Sequence, residues 1–480
     1  MAQMTFNLQP ASVWKHFMDL TKIPRPSGHE QKIIDHIMKF ADSLGLETIK
    51  DKAGNLIVRK SAAAGMEKVD GIILQAHVDM VPQKNSDKKH DFLKDPIETI
   101  VDGEWLKANQ TTLGADNGIG VASILAILED STITHGPLEA LFTVNEETGM
   151  DGAFGLEGAN LKGKVMLNLD SEEEGELYIG CAGGIDINCS WNYDTGACHG
   201  NALKITLSGL KGGHSGIDIN LGRANANRVL AEILKQLSED IPLKLESFSG
   251  GNLRNAIPRE AEAIVVADDQ DADKLNKLLS EILSSLKSRY KGIEDAISLK
   301  SEPVSSSGKC MNREAFETFI YRLLNCPNGV IKMSESIEDI VQTSNNISVV
   351  VAGEGHAEVK TLLRSSDNAE KLANAEKIKI IFKGAHFEAI NGYPGWLPNP
   401  DSKILRLAKR VYHNTFGKEP EVKVIHAGLE CGIIGDKMSG LDMLSFGPTI
   451  KHPHSPDEKV KIDTVDKFWT FLKKLVEGYQ

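Results

Sequence analysis

Histidine and carboxylate side chains follow several apolar segments in the first part of the sequence. They are His77 and Asp79 in ILQAHVDM, Asp116 in TLGADNGIG, Glu146 and Glu147 in LFTVNEETG, and Asp170 in VMLNLD. Residues i and i+2 of an extended strand project to the same side, so His77 and Asp79 are expected to point into one space. Imidazole and carboxylate groups without thiolates form a ligand set that suits zinc and that manganese or cobalt also accept.

Each of these residues also has an ordinary structural explanation. His77 and Asp79 could form an ion pair, Asp116 could begin a tight turn with the Asn-Gly that follows, and Asp170 could cap the next element. The repeated pattern of an apolar strand followed by an acid or a histidine favours a common site, because ligands of open α/β sheets bind beyond the carboxyl ends of the strands. A two-metal site would need a second histidine, and FGPTIKHPHSPDE (446–458) offers one.

The segments around these residues predict an α/β domain. Helical spacing is present in GHEQKIIDHIMKFADSLG (28–45) and NGIGVASILAILED (117–130). Short apolar strand candidates lie at NLIVRK (55–60), GIILQA (71–76), LEALFTV (138–144) and KVMLNLD (164–170). Apolar strands that alternate with helices indicate a sheet covered on both faces, so we expect layers built on a mostly parallel sheet.

From about residue 200 the pattern changes to that of an inserted α+β domain. Strand-like and helical stretches follow one another in a β-α-β-β-α-β-like order, and a comparable order recurs from REAFETFIYRLL (313–324) to KIKIIFKGA (377–385). We therefore predict a first part at 1–198, an insert at 199–388 with two ferredoxin-like lobes (about 199–305 and 306–388), and a final part at 389–480.

The composition limits the kinds of partner and compartment. With 480 residues and a formal charge of −13, the chain lacks the basic balance of nucleic-acid-binding proteins or of proteins that bind anionic membranes. No signal peptide or membrane-spanning stretch is recognisable, so a soluble, cytoplasmic protein is expected. The six cysteines include no C-x-x-C pair, and we expect reduced thiols rather than disulfides.

Several motifs together resemble those of the di-zinc peptidases, the family that includes aminoacylases, glutamate-type carboxypeptidases and dipeptidases. The similar stretches are AHVDMVP, GADNGIG, NEETGMDGA, NLDSEEEG, KGGHSG, RNAIP and KHPHSPDE, in family order and over nearly the whole chain. The resemblance implies a catalytic domain interrupted by a lid domain. It also implies hydrolysis of dipeptides, with Xaa-His dipeptides such as β-alanyl-histidine (carnosine) as expected substrates.

The resemblance also implies a set of protein ligands for two divalent metal ions, which are expected to be zinc, with cobalt or manganese as alternatives. His77 and Asp170 are expected to bind one ion, Glu147 and His454 the other, and Asp116 to bridge the two. A cis peptide bond is expected after Asp116.

Two further residues are expected to act beside these ligands. Asp79 resembles the carboxylate that orients the metal-binding histidine, here His77. Glu146 resembles the general base, which takes a proton from the water that bridges the metals and passes it to the leaving amine. His454 is preferred over His452 as a ligand because only His454 begins the pattern H-S-P-x-E.

The resemblance assigns substrate binding to four residues outside the metal motifs. They are His214 in KGGHSG, Asn255 in RNAIP, Arg364 in LLRSSD and Gly428 in HAGLECG. An arginine can bind a carboxylate through two hydrogen bonds, and a histidine donor can stabilise a developing oxyanion. Without the resemblance, an exposed loop histidine and a solvated arginine would be the simpler interpretations.

Other functions remain as alternatives. A related aminoacylase or tripeptidase would share the metal ligands, as would a two-metal phosphoesterase, for which the sequence offers no basic cluster to bind phosphate. A non-catalytic binding protein would be expected to lack a ligand or the base, and none is missing. KGGHSG is not the G-x-S-x-G elbow of serine hydrolases, because Ile217 stands where glycine is required. Both a monomer and a homodimer are compatible with the sequence.

Overall fold

The computed structural model describes residues 8–480, which form two compact units. Unit 1 comprises the chain through Gly180 together with Pro398–Val424 and Leu429–Gln480. Unit 2 comprises Cys181–Leu397 and Ile425–Gly428. Among the described residues, none of the helices is long and apolar enough to cross a membrane.

The helices are numbered in chain order. They are α1 (Ala11–Leu20), α2 (Gln31–Ser43), α3 (Ala115–Glu129), α4 (Glu146–Gly149), α5 (Asp151–Gly155), α6 (Ala226–Asp240), α7 (Ala272–Arg289), α8 (Arg313–Asn325), α9 (Asn368–Ile381), α10 (Lys403–Phe416), α11 (Glu430–Lys437) and α12 (Ile462–Gly478).

The strands are numbered in the same way. They are β1 (Glu47–Lys50), β2 (Leu56–Lys60), β3 (Ile72–His77), β4 (Thr99–Asp102), β5 (Trp105–Ala108), β6 (Leu138–Thr143), β7 (Val165–Asn168), β8 (Glu176–Cys181), β9 (Gly183–Asn192), β10 (Thr195–Ala197), β11 (Asn201–Ser208), β12 (Gly213–His214), β13 (Lys244–Gly250), β14 (Ala256–Ile257), β15 (Ala261–Ala267), β16 (Ser298–Pro303), β17 (Lys309–Met311), β18 (Gly329–Met333), β19 (Val341–Gly353), β20 (His356–Ser365), β21 (His386–Tyr393), β22 (Glu421–Ile425), β23 (Asp442–Ser445), β24 (Ile450–Lys451) and β25 (Lys459–Lys461).

Unit 1 is built on a mixed sheet with the strand order β1-β2-β6-β3-β7-β23-β8-β22. The central pairs β6–β3, β3–β7 and β7–β23 are parallel. Every residue of β3, β6 and β7 is buried, as expected for strands covered on both faces. Because these strands are parallel, their carboxyl ends meet at one edge of the sheet, and three of the predicted metal-binding residues, His77, Glu147 and Asp170, lie at or just after those ends.

Helix α3 lies in the core of unit 1. Residues Asn117 to Leu128 are all buried, so the helix has no polar face, which is typical of a central helix. Helix α2 instead buries one face, formed by Ile33, Ile34, Ile37 and Ala41. The sequence predicted both helices and the strands β2, β3, β6 and β7 to within a few residues of their bounds, and the α/β fold class is confirmed.

Unit 2 contains one long antiparallel sheet with the order β16-β11-β15-β13-β19-β20-β9-β21, and β18 also pairs with β19. Helix α6 packs on β11, β13, β15 and β19, α7 packs on β16, and α9 packs on β9 and β20. Helix α8 contacts α6 and β13, and its Phe319 ring also contacts Trp191 of β9. Strands β13 and β19 pair with each other, so the sheet is continuous. An antiparallel sheet with helices agrees with the predicted α+β insert. The division into two ferredoxin-like lobes stays a prediction.

The bounds of the insert differ from the predicted 199–388. Strand β9 belongs to unit 2 because it pairs with both β20 and β21. The backbone N–H of Ala182 also donates to Ile425, which brings the short segment Ile425–Gly428 into the same unit. The local pattern of apolar and polar residues does not reveal such pairings, because the paired strands are far apart in the chain.

Two details of the sequence analysis are corrected by the structure. The segment KIKIIF, which ends the second predicted β-α-β-β-α-β-like order and was expected to be its last strand, forms the end of α9, and the strand that follows it is β21. The expectation of reduced cysteines was wrong for Cys198 and Cys310, which form a disulfide between residues with Cα atoms 5.9 Å apart. The two cysteines are 112 residues apart in sequence, and the adjacent strands β10 and β17 bring them together.

Candidate metal centre

The structure brings His77, Asp116 and Asp170 together at the carboxyl edge of the unit 1 sheet. The Nε2 atom of His77 lies 3.1 Å from Oδ1 of Asp116 and 3.2 Å from Oδ1 of Asp170. His77 is the last residue of β3, and Asp170 follows β7, which pairs with β3. One ligand atom from each residue lies within 4.8 Å of the others, so the three could hold one cation.

A second group of three shares Asp116 with the first. The Nε2 atom of His454 lies 3.2 Å from Oδ2 of Asp116 and 2.8 Å from Oε2 of Glu147. The two carboxylate oxygens of Asp116 therefore face different histidines, Oδ1 towards His77 and Oδ2 towards His454. A carboxylate that contributes one oxygen to each group has the arrangement required of a bridging ligand.

The backbone after Asp116 places both Asp116 and the side chain of Asn117. The Asp116–Asn117 peptide bond is cis, as the resemblance implied. The Asn117 side-chain amide donates a hydrogen bond to Oδ1 of Asp170. Gly120 leaves room for this amide, because a Cβ atom at position 120 would lie only 2.0 Å from the Asn117 side-chain oxygen.

Asp79 contacts both the His77 ring and the turn that carries Glu146 and Glu147. Its Oδ1 atom lies 3.3 Å from Nδ1 of His77, although this pair is not aligned for a hydrogen bond. The backbone N–H groups of Glu146 and Glu147 donate to Oδ1 and Oδ2 of Asp79 at 3.1 and 3.2 Å, and the Ser27 hydroxyl donates to Oδ2. Asp79 therefore fixes the turn that carries the two glutamates as well as lying beside the histidine.

The charges of the site fit divalent cations. Burial is the largest influence on the Asp170 carboxyl and, with Asp116 and Glu147 nearby, raises its pKa to about 6 despite the opposing effect of His77. Hydrogen bonds from the His454 ring to Asp116 and Glu147 raise the pKa of His454 to about 11. Several carboxylates therefore lie close together, with two imidazole rings between them to supply positive charge. Ions with a charge of +2 would neutralise these carboxylates more effectively than protonated imidazoles.

Glu146 lies beside the ligands and is half-buried. Burial raises its pKa well above the usual range, with further contributions from Asp170 and Glu430 and an opposing effect from His77. Oxygen atoms of Glu146 and Glu147 also lie within 4.8 Å of a ring nitrogen of His77. Geometry alone therefore allows Glu146 either to hold a proton or to contact a cation.

The four residues predicted to bind substrate all belong to unit 2. Strands β12 and β14 pair His214 with Ala256, the neighbour of Asn255, and the Ser215 N–H donates to the Asn255 carbonyl. The Nδ1 atom of His214 accepts hydrogen bonds from the backbone N–H groups of Gly216 and Ile217 at 3.2 and 3.1 Å. Because Nδ1 is an acceptor in the neutral ring, the proton lies on Nε2, which can donate to a ligand.

Arg364 and Gly428 meet around Tyr393. The Arg364 guanidinium is buried and donates from Nη1 to the Tyr393 hydroxyl at 3.1 Å, while its Nε has no protein partner. A Cβ atom at Gly428 would approach the Tyr393 ring to 3.0 Å, so glycine allows this close packing. Burial and the nearby Arg364 charge lower the pKa of both His214 and His426, the latter to about 3, so both rings are neutral.

Three buried charged residues near the ligands were missed by the sequence analysis. Arg25 donates to the carbonyl groups of Val78, Asp79 and Gly114. Glu458 accepts hydrogen bonds from the backbone between Leu113 and Asp116. Glu430 accepts hydrogen bonds from Gln75 and Thr143. Glu458 ends the quoted pattern H-S-P-x-E and Glu430 lies in HAGLECG, so two of the three were inside motifs whose acidic residue was not interpreted.

Comparison with known proteins gives the family. Residues 73–478 match the model of peptidase family M20/M25/M40, which is most of the chain. The chain belongs to this family. It is therefore a peptidase, a hydrolase of peptide bonds, as the sequence predicted.

Two relatives have 44% sequence identity to this chain over nearly its whole length. The chain is 44% identical over 475 residues to the cytosol non-specific dipeptidase of Escherichia coli (strain K12), covering 98% of each protein. Its fold matches the crystal structure of aminoacylhistidine dipeptidase from Vibrio alginolyticus with a TM-score of 0.96 and 44% identity, covering 99% of this chain and 98% of that one. Aminopeptidase PepT from Bacillus cereus has a related fold, with a TM-score of 0.58 and 17% identity over 98% of this chain and 99% of that one.

Proposed function

We propose that this M20 peptidase is a metal-dependent dipeptidase, and that Xaa-His dipeptides, including β-alanyl-histidine, are among its substrates. The observation that carries the proposal is the pair of three-residue groups that share Asp116. The substrate class is supported by the names of the two relatives with 44% identity, one a non-specific dipeptidase and the other an aminoacylhistidine dipeptidase. The name of the first relative also supports a cytoplasmic location for this chain.

Five residues would hold two divalent ions. We assign His77 and Asp170 to one, Glu147 and His454 to the other, and Asp116 to both, since Asp116 directs one oxygen to each histidine. Nitrogen and carboxylate oxygen ligands without thiolate suit zinc, and cobalt or manganese are alternatives. When bound, the ions supply Lewis acidity, which lowers the pKa of a water molecule and polarises the scissile carbonyl.

Glu146 is assigned as the general base. Its carboxylate takes a proton from the attacking water, and the protonated carboxyl group then delivers that proton to the nitrogen of the leaving amine. Asp79 holds the Glu146 backbone N–H at 3.1 Å, which limits the positions that the side chain can adopt. A desolvated carboxyl with a raised pKa is well suited to carry a proton between two steps.

Residues of unit 2 are assigned to the substrate. The Nε2–H group of His214 donates to the carbonyl oxygen as it becomes negative. The guanidinium of Arg364, whose Nε has no protein partner, binds the terminal carboxylate of the dipeptide. Asn255 and Gly428 complete this carboxylate site with an amide donor and a position where backbone can approach closely.

A substrate panel on defined metal forms tests the proposal. Protein stripped with a chelator and reloaded with zinc, cobalt or manganese should bind two ions per chain, and it should hydrolyse β-alanyl-histidine and other Xaa-His dipeptides only when loaded. N-acetyl amino acids and tripeptides are the matched competing substrates. If an N-acetyl amino acid or a tripeptide is turned over faster than the dipeptides, the proposed activity is wrong and the protein is an aminoacylase or a tripeptidase. Turnover without metal would refute the mechanism.

A further inference from the structure

The Glu458 side chain is buried and accepts hydrogen bonds from four consecutive backbone N–H groups. Its Oε2 atom accepts from Leu113 at 2.7 Å and Gly114 at 2.9 Å, and its Oε1 atom accepts from Ala115 at 2.7 Å and Asp116 at 3.3 Å. Only 2% of the residue is exposed. Both oxygens are therefore committed to the segment that ends in the shared ligand Asp116.

This segment needs an external acceptor because of its position in the chain. It leads into α3, and the first N–H groups of a helix have no partner within the helix. Gly114 has a left-handed conformation (φ 71°), and its carbonyl accepts a hydrogen bond from Arg25. Glu458 therefore accepts hydrogen bonds from the N–H groups of the segment, while Arg25 donates to a carbonyl of the same segment.

Glu458 also belongs to the turn that carries the second histidine ligand. His454 has a left-handed conformation (φ 58°), and the turn that follows is closed by hydrogen bonds from the N–H groups of Asp457 and Glu458 to Ser455. One short turn thus presents an imidazole to Asp116 and a carboxylate to the backbone of Asp116. These two contacts fix the distance between the ligands.

We infer that Glu458 is a positioning residue that joins the segment carrying Asp116 to the turn carrying His454 and so keeps the shared ligand in register with both metal positions. The inference rests on the proposed two-metal site. The Glu458 side chain contacts Asp116 only at its backbone N–H. Glu458 therefore acts through the positions of Asp116 and His454.

The substitution Glu458→Gln separates this role from simple space filling. Glutamine has nearly the same shape, but one of its two terminal atoms is an NH₂ donor. In either orientation this NH₂ would face two backbone N–H donors, because each carboxylate oxygen now accepts from two of them. The variant therefore loses the contacts to one half of the segment without leaving a cavity.

Glu139→Gln is the matched control. Glu139 is also a buried carboxylate that accepts two backbone N–H groups, from Lys162 at 2.7 Å and Gly163 at 2.9 Å, and a hydrogen bond from Arg59. It lies near the amino end of β6, whereas Glu147 follows the carboxyl end of the same strand. A general loss of stability from a buried glutamine should thus appear in both variants.

The measurements are metal affinity by competition with a chelator, thermal unfolding, and kcat at increasing metal concentration on the full chain. We expect Glu458→Gln to bind zinc about 10- to 100-fold more weakly, the usual effect of removing the support of a ligand, and to recover kcat at high metal concentration. Glu139→Gln should bind zinc like the wild type at a comparable unfolding temperature. Unchanged affinity in Glu458→Gln, or an equal loss in both variants, would overturn the inference.

Amide hydrogen exchange in the wild-type protein covers the case in which Glu458→Gln does not fold. In the metal-free protein the amides of residues 113–116 should exchange slowly, since Glu458 is their acceptor. Rapid exchange there would refute the positioning role. If the wild type binds no metal at all, the proposed function fails, whereas this exchange measurement still decides the role of Glu458.

Discussion

The adjacent residues Glu146 and Glu147 give the most direct test of the mechanism when each is changed to glutamine. The backbone N–H groups of both donate to Asp79, so neither substitution removes the contacts that hold the turn. The side chains differ in their neighbours. Oε2 of Glu147 lies 2.8 Å from Nε2 of His454, in the group of three that also contains Asp116. Glu146 is instead proposed to transfer the proton as the general base.

The expected effects follow from these two roles. A positioned general base contributes about 10²- to 10⁴-fold, which is about 3 to 5 kcal/mol of activation free energy at 1.36 kcal/mol per factor of ten. Glu146→Gln should therefore lower kcat by at least about 10²-fold and retain both ions. Glu147→Gln removes a negative charge from one group of three ligands, so it should weaken the binding of one ion and leave the other bound.

The assay is metal content by elemental analysis after gel filtration, measured beside kcat for β-alanyl-histidine in one buffer for the wild type and both variants. Addition of excess zinc should restore part of the activity of Glu147→Gln but none of the activity of Glu146→Gln. If Glu146→Gln loses an ion as Glu147→Gln does, the alternative grouping of Glu146 with His77 is correct. If its kcat stays within about tenfold of the wild type, Glu146 is not the base.

Three further predictions concern residues around this pair. Asp79→Asn must turn an NH₂ group towards one of the two backbone N–H groups that Asp79 accepts, so metal affinity should fall about 10- to 100-fold in a chelator competition, and wild-type affinity would contradict the supporting role. His454→Ala should lose one ion by elemental analysis, whereas His452→Ala, in the same turn, should keep both; the reverse result would exchange their roles. Burial raises the pKa of Glu430 to about 7, so in the metal-free protein the folded state binds its proton more tightly than the unfolded state, and stability falls as pH rises from about 4.5 to 7. Glu430→Gln imitates the protonated form, so denaturant titrations should show it equal to the wild type near pH 4.5 and more stable by about 1–3 kcal/mol at pH 8, and a pH-independent difference would contradict this.

The sequence predicted the elements of unit 1 well because each has a strong local signal. The apolar runs that became β3, β6 and β7 are buried along their whole length, and the uniformly apolar α3 is a central helix. The shared edge of the parallel strands explains why His77, Glu147 and Asp170 lie together, whereas Asp116 and His454 were expected beside them only from the family resemblance. The identity of each metal ligand still depends on the family resemblance and on the tests above.

What the sequence did not predict depends on contacts between distant segments. The pairing of β9 with β20 and β21 moved the start of unit 2, and the pairing of β10 with β17 placed Cys198 against Cys310. Neither has a local pattern. The role of Asp79 in holding two backbone N–H groups was hidden for the same reason, since its partners lie 67 and 68 residues further along the chain.

A layer of uncharged polar side chains lies directly beneath the candidate ligands and explains how the strand ends stay in register. Gln75 of β3 accepts a hydrogen bond from Asn168 of β7 at 2.5 Å and donates to Thr143 of β6 at 3.1 Å, and Ser445 of β23 donates to Asn168 at 2.5 Å. Each of these strands except β23 carries or precedes a candidate ligand. Burying polar groups costs free energy unless all of them are hydrogen-bonded, so this layer favours one relative position of the strands.

Glu430 accepts the last hydrogen bonds of the layer, from the Gln75 amide at 2.6 Å and the Thr143 hydroxyl at 2.7 Å. Its charge is also close enough to raise the pKa of Glu146. The same hydrogen bonds that align the ligand-bearing strands therefore place a second carboxyl group where it influences the proposed base.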